Sequence, residues 1–310
     1  MAKWACCGKN AVMWLIYALL NMFFMALVNY IDEFLTHSSS SKENCNIHER
    51  IGGVLVMSTV LCVVGLSTLC IFSETITLAR PYMTLALVSA IPMVVVWAGY
   101  FYLLQLFSTH HVVPLFGLSS IWLLLIEIFA GASVSLIELS GIIVLVVGAY
   151  LLDRGAFKWA IPSKLLTLML PVSFAWAVTV YLVKLATADE GNAVAVYFWQ
   201  LLGIFMIGGL LFAFIAPYRR GFLTRIRTEK SRFIVPSLMN ESCGQLAFLF
   251  STLAIATAPL AVYYTAVGGI QSIFLIVMFW LFPLNHRNTT TVTQWLGVAF
   301  IVAGIALLEI

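Results

Sequence analysis

SGIIVLVVGAYLLD, residues 140–153, and LGVAFIVAGIALLE, residues 296–309, are two copies of one pattern. Each has glycines seven apart, Gly141 and Gly148 in the first and Gly297 and Gly304 in the second. Each closes on an acid twelve residues after its first glycine, Asp153 or Glu309. Upstream, Ser135 with Glu138 and Thr291 with Gln294 stand at the same distance from that glycine. The Ser/Thr-x-x-Glu/Gln spacing is a capping box, in which two side chains satisfy amide groups at the start of a helix. Both copies therefore predict an apolar helix with a defined start and a glycine face open to close packing.

Composition sets the environment. The 310 residues are 62% hydrophobic and 9% charged, against about 25% charged in a soluble domain. Such a chain cannot cover a water-facing surface, and it reads as an all-α integral membrane protein whose first partner is the lipid bilayer. Its net charge of +3 is spread over loops, which gives no footprint for nucleic acid. Six cysteines lack metal-site spacing with histidines, and no metal or cofactor is expected. The first apolar run is longer than a signal peptide's apolar region and lacks an A-x-A cleavage pattern, so it reads as a retained span.

A helix needs about 20 mostly apolar residues to cross a bilayer. Ten runs qualify: 11–33, 51–72, 82–107, 112–130, 136–152, 164–186, 193–216, 232–256, 259–283 and 292–309. A Ser-rich loop at 36–50 and a basic loop at 217–231 are the long connections. Sequence offsets of about 151 to 156 superpose the halves, pairing Tyr30 with Tyr181, Glu33 with Lys184, and the two capping boxes. The expected units are residues 1–155 and 156–310, each a five-helix repeat. An odd number of spans per repeat forces the second copy to insert upside down, a common plan of secondary transporters.

Ten spans in two halves, each closing on a capped helix with G-x6-G and a terminal acid, resemble the drug/metabolite transporter superfamily, nearest its EamA-like branch. The resemblance covers essentially the whole chain, and its most specific parts are 112–153 and 259–309. It implies a transporter of metabolites, among them amino acids, drugs, sugar phosphates and nucleotide sugars. In that family a glutamate often precedes the closing helix; Ala132 and Asn288 stand here instead, so no role for that acid carries over. The resemblance also implies cytoplasmic termini. The positive-inside count opposes this: most basic residues, including Arg154, Lys158, Arg219, Arg220, Arg225, Arg227 and Lys230, fall on the side opposite the termini. The orientation stays open.

Charged groups inside a bilayer cost about 2.5–3.5 kcal/mol each on insertion scales and ask for a reason. Glu241 is the sharpest case, near the centre of span eight beside Asn240. Ser237, Glu241, Gln245, Phe248 and Thr252 share its helical stripe. The matching position in span three is roughly Ile91, so this acid marks a difference between the halves. It suits a cationic group or a carried proton; the bland reading is a buried acid held by neighbouring hydroxyls and amides. Glu127 in span four is a second proton-coupling candidate, or an acid reaching the interface. Lys184, closing span six, can snorkel or pair with an anionic solute. Asp32 and Glu33 read best as a solvated end of span one.

Aromatic faces recur at helical spacing: Trp14, Tyr17 and Asn21; Met93, Trp97 and Tyr100; Ser173, Trp176 and Thr179; Tyr264, Gly268 and Gln271. Together with Glu241 they sketch an aromatic-walled cavity that suits an amphipathic or cationic small molecule. Ordinary interior packing explains many of the same residues. The leading expectation is a secondary active transporter of an amino acid, amine or drug-like solute, driven by a proton or solute gradient, since no G-x4-G-K-[ST] motif is present. Exchange of phosphorylated or nucleotide sugars and a non-transporting scaffold or receptor are the alternatives. An intramembrane enzyme would need a catalytic constellation, and a lone central carboxylate does not make one.

Overall fold

The computed structural model describes residues 4–37, 46–70, 76–154, 163–188, 192–229, 231–281 and 292–308. Among these the chain is all helix with short connections: α1 (Trp4–His37), α2 (Ile47–Cys70), α3 (Arg80–Leu106), α4 (Thr109–Val112), α5 (Leu118–Phe129), α6 (Leu136–Arg154), α7 (Ser163–Thr187), α8 (Ala193–Phe214), α9 (Ala216–Glu229), α10 (Ser231–Thr257), α11 (Ala261–Ala266), α12 (Gly269–Leu281) and α13 (Val292–Leu308). Six stretches among the described residues are long and apolar enough to cross a membrane: Met13–Glu33, α2, α3, α7, α8 and Ala261–Met278. Val113–Phe129, Leu136–Gly148 and Trp295–Leu307 are apolar but shorter. Hydrophobic side chains such as Ile16, Ile91, Met206 and Val302 face outward, as helices surrounded by lipid require.

Two expected spans are broken. Residues 112–130 contain a 3₁₀ turn, Val113–Gly117, between α4 and α5. Pro114 lacks the amide that a continuous helix would use, and Gly117 ends the turn. Residues 259–283 divide into α11 and α12 at Val267 and Gly268. The stretch 217–231, expected as a loop, is mostly the helix α9. Its Gly221 and Arg225 turn toward the start of α2, where Gly52 and Gly53 leave room for Tyr218 and Gly221, while Arg219, Arg220 and Arg227 are exposed. One polar and one packed face make a helix from a segment too charged to cross a membrane. Of the Ser-rich loop expected at 36–50, residues 36–37 belong to α1 and 47–50 to α2, while 38–45 lie outside the described residues, as do Thr291, Glu309 and the side chains of Asp153 and Gln294.

The capping box of α6 forms as its spacing predicts. Ser135 Oγ accepts from the Glu138 amide at 3.2 Å, and a Glu138 carboxylate oxygen accepts from the Ser135 amide at 2.6 Å. Just before it, α5 ends in a Schellman motif: the Ala132 amide donates to Glu127 O (2.9 Å) and the Gly131 amide to Ile128 O (3.0 Å). Gly131 takes a φ of 92°, a conformation that a side chain would disfavour.

Neighbours in space follow a reciprocal pattern. α1 packs on α10 and α3 on α7; α5 packs on α7 and α12 on α1; α2 meets α8, and α6 meets α13. The last pair joins the two quoted stretches. A β-carbon at Gly148 would lie 2.9 Å from the Gly297 carbonyl oxygen, and one at Gly304 would lie 3.0 Å from the Gly141 carbonyl oxygen. Both obstacles are backbone, which cannot swing aside as a side chain can. The glycines thus let two helices touch main chain to main chain, where dispersion rather than solvent release drives association in lipid.

Gly148→Leu is expected to destabilise the protein by about 1–3 kcal/mol, the usual range for overpacking, and to lower the unfolding temperature in detergent. Gly209→Ala is the control, because an added β-carbon there meets nothing within 4 Å; it should match or exceed the parent.

Candidate functional site

One face of α1 carries Asn21, Met22, Met25, Val28, Asn29 and Asp32 toward the bundle interior. Successive steps of three and four residues keep such positions on one side of a helix. α3 contributes Met93, Val96, Trp97, Tyr100 and Phe101; α10 contributes Asn240, Glu241, Gly244 and Phe248. Ser58 of α2, Phe116 and Ser119 near the start of α5, Trp176 of α7, and Tyr264, Thr265, Gly268 and Gln271 from the α11–α12 region complete the wall. They line a partly open cavity; the atom-free space there, open solvent included, is about 1020 Å³.

Of the residues singled out in the sequence, Glu241, Asn240, Asn21, Trp97, Tyr100, Trp176, Tyr264 and Gln271 meet at this cavity. Gln245 stands behind it, donating from Nε2 to Glu241 Oε1 at 2.6 Å and accepting from the Tyr197 hydroxyl at 2.6 Å. Cys62 Sγ approaches the same carboxylate oxygen at 3.7 Å. Glu241 is thus held by α2 and its own helix, with α8 supporting Gln245. Trp14 is not among the lining residues: it is 2% exposed and its ring lies 6.2 Å from that of Tyr263. Tyr17 stacks on Phe250 at 6.4 Å. These two rings pack between helices because the aromatic face of α1 turns from core to cavity at Asn21.

Asp32 corrects the expectation of a solvated helix end. α1 continues to His37, and Asp32 is 2% exposed and lines the cavity. Its Oδ1 accepts from Asn240 Nδ2 at 2.8 Å. One turn earlier, Asn29 Oδ1 accepts from the Tyr100 hydroxyl at 2.7 Å, while Asn29 Nδ2 is buried without a hydrogen-bond partner. At the far end of the cavity, Tyr264 donates to Asn21 Oδ1 (3.0 Å) and accepts from Ser251 (2.8 Å), and Asn21 Nδ2 donates to Ala247 O (2.7 Å). This network ties α1, α10 and α11 together across the floor. Asp32 was legible: Asn21, Met25, Val28 and Asp32 continue a single helical stripe. Its neighbour Glu33 and the apparent end of the apolar run hid it.

Lys184 and Glu127 are also placed differently from the expectation. Neither lines the cavity. Lys184 Nζ donates to the carbonyls of Ile255 (3.0 Å) and Ala258 (2.6 Å), at the end of α10. Glu127 accepts from the amides of Ala261 (2.8 Å) and Val262 (3.2 Å), at the start of α11. Pro259 lies between. A helix end leaves carbonyls unsatisfied and a helix start leaves amides unsatisfied; Ala258, Ala261 and Val262 are buried, so partners must come from the protein. A cation at the first and an anion at the second also match the helix dipoles. The two charges that looked available for solute or proton are committed to this joint. On α1, Glu33 Oε2 accepts from the Thr109 amide at 3.2 Å, at the start of α4 after the corresponding joint.

No family model matches the chain, and no curated protein matches it. A solved structure described only as "Crystal structure of protein" is similar over 94% of this chain and 97% of its own, with a TM-score of 0.56 and 12% identity. At that identity the likeness speaks for the fold alone.

Removing either charge at the α10–α11 joint leaves backbone groups unpaired. Lys184→Met and Glu127→Leu are each expected to destabilise the protein by about 1.5–3 kcal/mol, the range for hydrogen bonds to charged groups. Thermal unfolding of the purified variants in detergent checks this; an unchanged midpoint in both would contradict the role of the joint.

Proposed function

We propose that this chain is a secondary active transporter of a small organic solute, an amino acid, amine or drug-like molecule, working by alternating access. The observation that carries the proposal is the cavity itself, which gathers aromatic walls, amides and two carboxylates from α1, α3, α7, α10 and α11–α12. In this reading α1, α2, α3, α4–α5, α6, α7, α8, α10, α11–α12 and α13 make ten crossings. Residues 1–155 and 156–310 are inverted five-helix halves. The reciprocal packing of α1 on α10 and α7 on α3, with the mutual glycine contacts of α6 and α13, supports that arrangement. A site between two such halves near the bilayer midplane is where transporters of this plan bind their solutes. The likeness in whole-chain fold is compatible with it, and kinship with the drug/metabolite transporter superfamily belongs to the same proposal.

The lining favours solute with positive charge over anion. Among the described residues it contains Asp32 and Glu241 and no Lys, Arg or His, and Lys184, which alone had kept a phosphorylated solute in view, is engaged elsewhere. Glu241 is the group proposed to meet the solute's cation or to carry the coupled proton.

Glu241→Gln preserves the shape of the side chain and removes its charge. In proteoliposomes the variant is expected to insert and fold yet lose proton-coupled or cation-selective uptake, with flux reduced at least tenfold. Unchanged uptake, with and without a pH gradient, would sink this mechanism and favour a receptor or scaffold.

A further inference from the structure

α9 differs in kind from the helices around it. Its sequence, APYRRGFLTRIRTE, holds four arginines, too many for a hydrocarbon layer. Yet only Ile215 separates it from α8, which is long and apolar enough to cross a membrane. The outward stripe of α8, Met206, Leu210 and Phe214 at 57%, 56% and 81% exposure, is apolar to its last residue, so α9 starts where the apolar layer ends. The inward half of α9 is fixed on the start of α2, a second such helix. A β-carbon at Gly53 would lie 3.0 Å from the Gly221 carbonyl, and one at Gly221 would overlap the Glu49 carbonyl oxygen. Main chain meets main chain there, which sets the roll of α9 about its axis. At about 3.6 residues per turn, Tyr218, Gly221, Phe222 and Arg225 fall on the packed side. Arg219, Arg220, Leu223, Thr224 and Arg227 fall on the other, and all five are exposed. Among the described residues of α9, none on the exposed side is acidic.

We propose that the exposed face of α9 binds the headgroup of an anionic phospholipid, with Arg219, Arg220 and Arg227 meeting its phosphate. Charge complementarity gives the sign of the partner, and a guanidinium matches phosphate with paired N–H donors. Position gives its kind. A soluble anion needs only the arginines, whereas a lipid also uses the apolar stripe of α8 that leads into them, and Leu223 adds an apolar side chain among the charges. An amphipathic helix with arginines on its polar face, placed at the end of a crossing helix, has the build of a segment lying in the headgroup layer. Each arginine near an anionic lipid surface is worth about fivefold in affinity. A lipid held there also braces α8, α9 and, through the packed face, α2, so it stabilises the fold. The inference does not rest on the transport reading or on which side of the membrane α9 occupies.

The test titrates the purified full chain, in a neutral detergent, with dioctanoyl phosphatidylglycerol, dioctanoyl phosphatidylcholine and glycerol 3-phosphate, reading binding by calorimetry and stability by thermal unfolding. The anionic lipid is expected to bind at least about tenfold more tightly than the zwitterionic one, to raise the unfolding temperature more, and to lose part of this advantage as salt is raised. Arg219→Gln/Arg220→Gln/Arg227→Gln should bring the anionic lipid down to the level of the zwitterionic one. Arg80→Gln, which removes an exposed arginine at the start of α3, beyond the far end of α2, should change nothing. If the triple variant does not elute as a folded monodisperse species, Arg220→Gln/Arg227→Gln decides, since it leaves the bond from Arg219 to the Ala213 carbonyl in place. Equal affinity of the parent for the two lipids would overturn the proposal. So would a preference that survives the arginine replacements, or a loss as large in Arg80→Gln. Glycerol 3-phosphate binding as tightly as the lipid would mark a site for soluble phosphate and overturn it too.

Discussion

A helix end buried inside a protein must find partners there for its loose carbonyls and amides. The α10–α11 joint is where this chain meets that requirement most directly. Lys184 answers the carbonyls of one helix end and Glu127 the amides of the next start. Because Lys184 sits on α7 and Glu127 on α5, the repair of one backbone break also fastens four helices together. Glu127 is itself fixed at the last turn of α5, whose Schellman ending uses its carbonyl oxygen. The α11 that this joint launches then delivers Tyr264 to the cavity floor, where it bonds to Asn21 and Ser251. Backbone satisfaction and site geometry are therefore one problem, solved by one set of side chains.

The charged residues divide accordingly. Lys184 and Glu127 serve the backbone at an end of the bundle, whereas Asp32 and Glu241 face a cavity with amides at their backs. Both uses bury charge, but with different outcomes. Carbonyls and amides of the main chain hold the first pair by hydrogen bonds. The second pair lines a cavity whose walls also carry Trp97, Tyr100, Trp176 and Phe248.

Much of this was legible in the amino-acid sequence. Hydropathy located the helices, and the Ser135–Glu138 box marked the start of α6 where its two hydrogen bonds form. The glycine periodicity of 140–153 and 296–309 announced close packing, though not that the two stretches would be each other's partner. At the cavity, helical periodicity found Glu241, Asn240, Asn21, Trp97, Tyr100, Trp176, Tyr264 and Gln271. It missed Asp32 because hydropathy ends a helix where charges begin, while α1 runs on beyond them. It over-read Lys184 and Glu127 because no sequence pattern reveals which helix ends lack partners; that depends on where Pro259 breaks the chain against its neighbours. It also read α9 as a loop, since a segment rich in arginine gives no apolar run, and only the contact with Gly52 and Gly53 of α2 shows what its other face is for.

The seam between α6 and α13 has a consequence for biogenesis. α6 emerges from the ribosome long before α13 does, and it carries a face shaped for main chain, with Gly141 and Gly148 opposite Gly304 and Gly297. Through that interval the groove can be filled only by lipid tails or by an insertion chaperone, neither of which reproduces a backbone-to-backbone fit. The first half can thus enter the membrane on time yet stay unfinished at its closing helix until the second half is complete. A lesion in α13 would be felt by quality control at α6, in the middle of the chain, rather than at the site of the damage.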